Sequence, residues 1–385
     1  MRLSILALTT DVPACQTQHS LLGTAAPQSH MHLLEQAGQF SRPATVEPGV
    51  MRLPADAYQA PTWPALARNS DQTAQVAGHL AQALAQPLAQ TRAILHTQCT
   101  LDQQILGSTC LRLQQAYAPG SRLTQTISQN GTAGLATALR LASVWASMAS
   151  AQHDGGHRTS VNASIAQAPI LVSAADKWMA PFYRRIPDVV TYGDAAAACL
   201  VREATAGDGA DPHDDQAIAT VEEIALSEAP CDAEPWQEPP RQLHARLLEW
   251  ASSQVAHVAQ SLPPSQRAHA VLAGDAYSAA LLEQVADTSA WGGELLWPSQ
   301  HGRSNHIHLS SASPLIALSD LVGLAVRRGK PIDAVIWMAS LSGHAAALRV
   351  RCSHQARRMA HGWASAHLPD PDLPLGSHQT QGADG

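Results

Sequence analysis

The sequence predicts an α/β protein built from two related halves. Short apolar strands alternate with amphipathic helices along most of the 385 residues, the pattern of a helix-covered sheet. The alternation runs twice, broken by an acidic, proline-rich stretch at 227–242. The chain is also 45% hydrophobic and only 14% charged, which supplies a sizeable core. Its length fits two or three ordinary globular units, or one fold made of two similar halves.

In the N-terminal half, 1–226, Ser4 to Thr9 reads as a buried strand, and Gln16 to Pro64 as polar loops or small helices. Asp71 to Gln86 spaces Val76, Leu80 and Leu84 on one helical face, and Pro87 stops it. Arg92 to His96 is a strand, Leu106 to Tyr117 a helix, Arg122 to Ser128 a strand, and Gly131 to Ser150 a long Ala-rich helix. Pro169 to Ala174 and Ala195 to Arg202 are further buried strands, and Ala217 to Leu226 is expected to close this half. The linker occupies 227–242.

The C-terminal half, 243–367, repeats the order. Leu243 to Leu262 is a helix, Ala268 to Ala273 a strand, and Ala276 to Ala286 a helix. Pro314 to Arg328 is a helix stopped by Gly329, and Asp333 to Ala339 and Ala345 to Cys352 are the last strands. The Pro-, Gly- and Gln-rich tail, 368–385, is expected to be disordered.

A net charge of −7 disfavours a phosphate-backbone partner, so no nucleic acid is expected. No run reaches the roughly 18 consecutive apolar residues of a membrane span. Six scattered cysteines without CxxC spacing fit a reducing, cytoplasmic setting. Met1 to Leu8 imitates a secretion signal, but the apolar run is short and Asp11 interrupts it, so a first strand is the better reading.

The most informative segment is Thr124 to Leu139, TQTISQNGTAGLATAL, where a strand runs through small residues into a helix. Such an elbow presents a side chain at a helix N-terminus, where free N–H groups and the dipole favour developing negative charge. Here the sequence resembles the β-ketoacyl-ACP synthase III branch of the thiolase superfamily, whose elbow reads D-V-A-A-A-C-A-G-F-x-x-A-L. Aligning Ala133-Gly134 and Ala138-Leu139 puts Thr132 at the acyl-accepting cysteine. LHTQCTLDQQILGSTCLRLQQAY (Leu95 to Tyr117), the Tyr192-Gly193-Asp194-Ala195-Ala196-Ala197 segment, VLAGDAY and HLSSASPLIAL follow the family's order. The resemblance covers roughly 300 residues and implies a thiolase-like fold with a layered α-β-α-β-α core.

Carried over residue by residue, the family's site is altered. Its L-V-P-H-Q-A-N histidine falls on Gly274, and its G-N-T-S-A-A-S asparagine on His308. In a neighbouring acyl-transferring branch a histidine and an aspartate complete a triad; His308 matches the histidine, but Ser313 stands at the aspartate position. The glycine-rich loop reads Ala339-Ser340-Leu341-Ser342-Gly343-His344.

Cysteine serves this fold because a helix N-terminus lowers its thiol toward neutrality; threonine cannot supply a thiolate. Thr132 is therefore read in two ways, as a helix cap through Oγ or as an acyl acceptor with His308 as base and Ser313 as its partner. Decarboxylative condensation is unsupported at these positions. The resemblance thus implies a 3-oxoacyl-ACP synthase III-like acyltransferase in fatty-acid or polyketide-type biosynthesis. It would take acyl-CoA or the phosphopantetheine thioester of acyl carrier protein as substrate, with no permanently bound cofactor. The alternative is a catalytically silent subunit paired with an active homologue, so a homodimer or a heterodimer is expected.

His301, His306 and His308 lack a nearby Cys or carboxylate, so no metal is expected. Asp194 reads as a turn residue, the Arg184-Arg185 and Arg327-Arg328-Gly329-Lys330 clusters as solvated helix ends, and Cys99 and Cys110 as core cysteines.

Overall fold

The computed structural model describes residues 2–13, 15–17, 59–61, 69–84, 88–100, 108–151, 168–178, 185–186, 189–204, 217–229, 238–275, 277, 279–296 and 307–355. The tail, most of the 16–64 region, half of the linker, Arg184, His301 and His306 lie outside them.

Among the described residues ten strands form one sheet: β1 (Leu3–Asp11), β2 (Ala93–Gln98), β3 (Leu123–Ser128), β4 (Ile170–Asp176), β5 (Ala195–Glu203), β6 (Ala219–Glu228), β7 (Val271–Gly274), β8 (Glu294–Leu295), β9 (Ile332–Ala339) and β10 (His344–Cys352). The main helices are α1 (Asn69–Leu84), α2 (Thr109–Tyr117), α3 (Gly134–Ala151), α4 (Pro240–Gln260), α5 (Ala279–Thr288) and α6 (Ser313–Arg328).

The strand order is β3-β2-β4-β5-β1-β6-β10-β9-β7-β8. From each outer edge inward, both halves read third, second, fourth, fifth, first strand. In each half the fifth strand is antiparallel to its neighbours while the other pairs are parallel. The two first strands meet antiparallel, Leu3 opposite Val221. The chain is therefore a topological repeat about a pseudo-twofold axis between β1 and β6. The strand expected to close the first half instead takes the first-strand place in the second, because it pairs with both β1 and β10.

Side-chain alternation builds the layers. Leu95, Val172, Ala197 and Cys199 point into a central core shared with Leu135 and Leu139 of α3 and Leu315 and Leu321 of α6. Ile94, Leu171 and Ala196 point the other way, onto Val76 and Leu80 of α1 and Leu113 of α2. In the second half Leu272 and Val335 pack outward against Leu247 and Val255 of α4 and Leu281 of α5. The resulting order is helices, one half of the sheet, central helices, the other half of the sheet, helices. The small side chains Ala195 to Ala198, all fully buried, let both helical layers approach β5 closely.

Local chemistry sets the boundaries. Ser108 caps α2, its hydroxyl accepting the Leu111 N–H at 3.4 Å, so this helix starts later than the apolar pattern suggests. Gly329, at φ 58°, ends α6 in the left-handed conformation. The strand expected from Ala268 to Ala273 starts later: a short helix, Pro264–Arg267, ends in a turn, and β7 begins at Val271. The two-residue β8, parallel to β7, was not anticipated.

Candidate active site

Beyond Ser128 the chain turns through Gln129 (φ 68°) and Gly131 (φ 56°) into a 3-10 turn, Gly131–Ala133, and then α3. A Cβ on Gly131 would lie 2.0 Å from Ser340 Oγ, so only glycine fits this elbow. Thr132 follows in the first helical turn, where N–H groups lack helical acceptors. Its side chain is not presented to solvent: Thr132 is 1% exposed.

The Thr132 hydroxyl donates to Asp275 Oδ2 at 2.6 Å, and the same oxygen accepts the Ala339 N–H at 2.8 Å. Asp275 directly follows β7, at the C-terminal end of a parallel strand where α/β sheets gather functional groups. The preceding residue, Gly274, faces Trp337 so closely that a Cβ would lie 2.5 Å from the indole.

His308 lies on a short strand, Ile307–His308, parallel to Val190–Tyr192. Its Nδ1 accepts the Ser310 N–H at 3.0 Å, so the neutral ring carries its proton on Nε2. That Nε2–H faces Asp275 Oδ1 at 3.6 Å, beyond a good hydrogen bond. Both atoms are buried and have no hydrogen-bond partner among the described residues. Tyr277 leans on the imidazole at 4.3 Å, and Tyr192 meets it edge-on at 5.5 Å while stacking on Trp178 at 4.2 Å.

Thr132 and His308 are thus brought together, with Asp275 between them. Ser313 begins α6 and its hydroxyl accepts the Leu309 N–H at 3.0 Å, while the Ser310 N–H orients His308. Sequence reasoning missed Asp275, although it directly follows Gly274, to which the resemblance drew attention.

The pseudo-twofold produces a second elbow. Ser310 (φ 49°) opens a 3-10 turn, Ser310–Ala312, into α6, in the same place as Gly131–Ala133 before α3. Ser311 Oγ donates to Asp176 Oδ2 at 2.5 Å, and the Ser311 N–H does so at 2.9 Å. Asp176 Oδ1 accepts the N–H groups of Cys99 and Thr100, each at 2.7 Å. Burial raises the Asp176 carboxyl above its ordinary range despite these donors. Burial, and then the adjacent Asp176 charge, push the Cys99 thiol well up. Asp194 is buried, pairing with Lys177 at 2.8 Å and accepting the Trp178 N–H at 2.9 Å. Among the described residues no three His, Cys, Asp or Glu side chains are grouped to hold a metal ion. No helix among them is long and apolar enough to cross a membrane.

The chain matches no protein-family model, and no curated protein matches it. Solved structures do. An acyltransferase, ChlB3, is 14% identical, with 92% of this chain and 100% of that one covered, at a TM-score of 0.57. The 3-oxoacyl-(acyl carrier protein) synthase III of Pseudomonas aeruginosa is 14% identical over 92% of this chain and 99% of that one, TM-score 0.56. OleA of Xanthomonas campestris, with cerulenin bound, is 12% identical over 91% and 98%, TM-score 0.57. With its doubled strand order and five alternating layers, this chain has the thiolase-like fold.

Proposed function

We propose that the protein is a 3-oxoacyl-ACP synthase III-like acyltransferase acting on acyl thioesters, without condensation through an elbow cysteine. One observation carries this reading: the buried His308 Nε2–H and Asp275 Oδ1 face each other, unpartnered among the described residues, beside the N-terminus of α3. A buried polar atom left unpaired costs about 1–3 kcal/mol, a cost a substrate removes by supplying the partner.

In this reading His308 Nε2–H and a backbone N–H at the start of α3 donate to the thioester carbonyl oxygen. Asp275 receives the proton of the incoming hydroxyl, amine or thiol as its bond to the acyl carbon forms. The C–S bond breaks, and the proton passes from Asp275 to the leaving thiolate. Thr132 holds Asp275 and is a positioning residue. Gly274 leaves no histidine for decarboxylation, and Trp337 fills the space beside it.

The donors are acyl-CoA or acyl carrier protein, with no resident cofactor, in cytoplasmic fatty-acid or polyketide-type biosynthesis. The assembly is a homodimer or a heterodimer with a ketosynthase homologue. The low exposure of Thr132, Asp275 and His308, at 1%, 1% and 2%, favours a second reading, a silent subunit that shapes the site of a cysteine-bearing partner.

Free-thiol release from a panel of acyl-CoA and acyl-carrier-protein donors tests the choice. Wild type should release thiol, and Asp275→Asn and His308→Ala should each slow release by about 100- to 1000-fold. No release or transfer from any donor would overturn the acyltransferase reading; the silent subunit then predicts co-purification with a cysteine-bearing homologue.

A further inference from the structure

We infer that Trp178 is a positioning residue for His308, which rests on the acyltransferase reading above, where His308 Nε2–H donates to the substrate. A neutral imidazole carries one N–H, so Nε2 donates only while Nδ1 is kept as an acceptor. The group that keeps it so is the Ser310 N–H, at 3.0 Å. Ser310 has a φ of 49°, which a residue other than glycine holds only where its surroundings fix it.

Trp178 supplies that fixing. Its indole Nε1–H donates to Ser310 Oγ at 2.8 Å, across 132 residues of sequence. The same indole stacks on Tyr192, with centroids 4.2 Å apart and planes 14° from parallel, and Tyr192 meets the imidazole edge-on at 5.5 Å. One side chain therefore reaches His308 twice, through Ser310 to Nδ1 and through Tyr192 to the ring.

The indole is itself anchored. Trp178 stands two residues beyond β4, and its backbone N–H donates to Asp194 Oδ1 at 2.9 Å. Asp194 Oδ2 pairs with Lys177 Nζ at 2.8 Å, and the Lys177 and Asp194 side chains are 5% and 0% exposed. Neither charge can leave without stranding the other in the interior, so the pair holds the Trp178 backbone to one place. Gly193, between Tyr192 and Asp194, donates its N–H to the His308 carbonyl at 2.9 Å, so indole and imidazole share one frame. A donor stabilises a developing oxyanion when it is already aimed at it, and a misplacement of about 1 Å costs on the order of 100-fold in rate.

Trp178→Phe keeps a ring against Tyr192 and removes the N–H donor. Ser310→Ala removes the same bond from its other end and keeps the N–H that faces His308. The full-length protein, isotopically labelled at its histidine nitrogens, is read by NMR at His308 Nδ1, assigned by comparison with His308→Ala. Thiol release from acyl-CoA donors is measured in parallel. In both variants the Nδ1 resonance should move toward that of an unbonded imine nitrogen. The kcat should fall about 10- to 100-fold with KM within about twofold, and the double variant should lose no more than the worse single one. A loss of stability alone would leave the Nδ1 resonance of the folded protein where it was. An unchanged resonance in the folded variants, or losses that multiply, would overturn the inference. Should Trp178→Phe not fold, Ser310→Ala gives the same reading at the same atom. Absence of thiol release from the wild type would overturn the acyltransferase reading alone, and the Nδ1 resonance still decides whether Trp178 positions His308.

Discussion

Replacing Gly274 with alanine tests how tightly the end of β7 packs against Trp337. Gly274 pairs with Trp337 across β7 and β9. A Cβ there would lie 2.5 Å from both Cδ1 and Nε1 of the indole and 2.6 Å from Cγ. Carbon contacts are optimal near roughly 3.5–4.0 Å, so three ring atoms must each retreat by about 1 Å. The ring has nowhere to retreat, because Trp337 is fully buried. Overpacking costs about 1–3 kcal/mol, and a locked tryptophan puts this site at the upper end, about 3 kcal/mol or roughly 150-fold in the folding equilibrium. Chemical denaturation of wild type, Gly274→Ala, Trp337→Leu and the double variant measures the cost and its origin. Because leucine vacates the indole volume, the double variant should be more stable than the sum of the single losses by about 1 kcal/mol or more. A Gly274→Ala protein within about 0.5 kcal/mol of wild type, or strictly additive losses, would refute the reasoning.

Gly131→Ala must combine a left-handed φ of 56° with a Cβ 2.0 Å from Ser340 Oγ; a loss of about 2 kcal/mol or more is expected, and an unchanged Tm would contradict it. Stability should also fall at alkaline pH. Burial pushes the Cys110 thiol up from 9.0 to about 11, and those of Cys199 and Cys352 to about 12. The unfolded chain therefore releases protons first, so the stabilisation is complete below about pH 9 and is lost as pH rises through these folded values. Tm should decline between about pH 9 and 11, and less steeply in Cys199→Ala; a flat profile, or an equal slope in the variant, would count against this origin.

The elbow and its threonine were legible because a strand ending in small residues before an Ala-rich helix is a local signal. So was the repeat, because apolar strands and helices alternate in both halves. His308 followed from the resemblance. Asp275 did not, since its role depends on a hydrogen bond to Thr132, 143 residues away in sequence. The Ser311–Asp176 contact spans 135 residues and was equally hidden. The two residues of β8, both exposed, carry too little pattern to announce a strand. The strand Ala219–Glu228 was recognised, but its membership was not, because pairing partners are a property of the sheet and not of the segment.

The two elbows borrow their acceptors reciprocally: Thr132 of the first half uses Asp275 of the second, and Ser311 of the second uses Asp176 of the first. Neither copy of the duplicated unit can finish the opening turn of its own central helix. Expressed separately, each half would keep a carboxylate without its hydroxyl and a hydroxyl without its carboxylate, so the halves form one cooperative unit. Sequence change in either half is then channelled. Side chains around the two elbows are free to change, one half keeping a threonine and the other a serine, while the crossed pair of contacts fixes where they must stand.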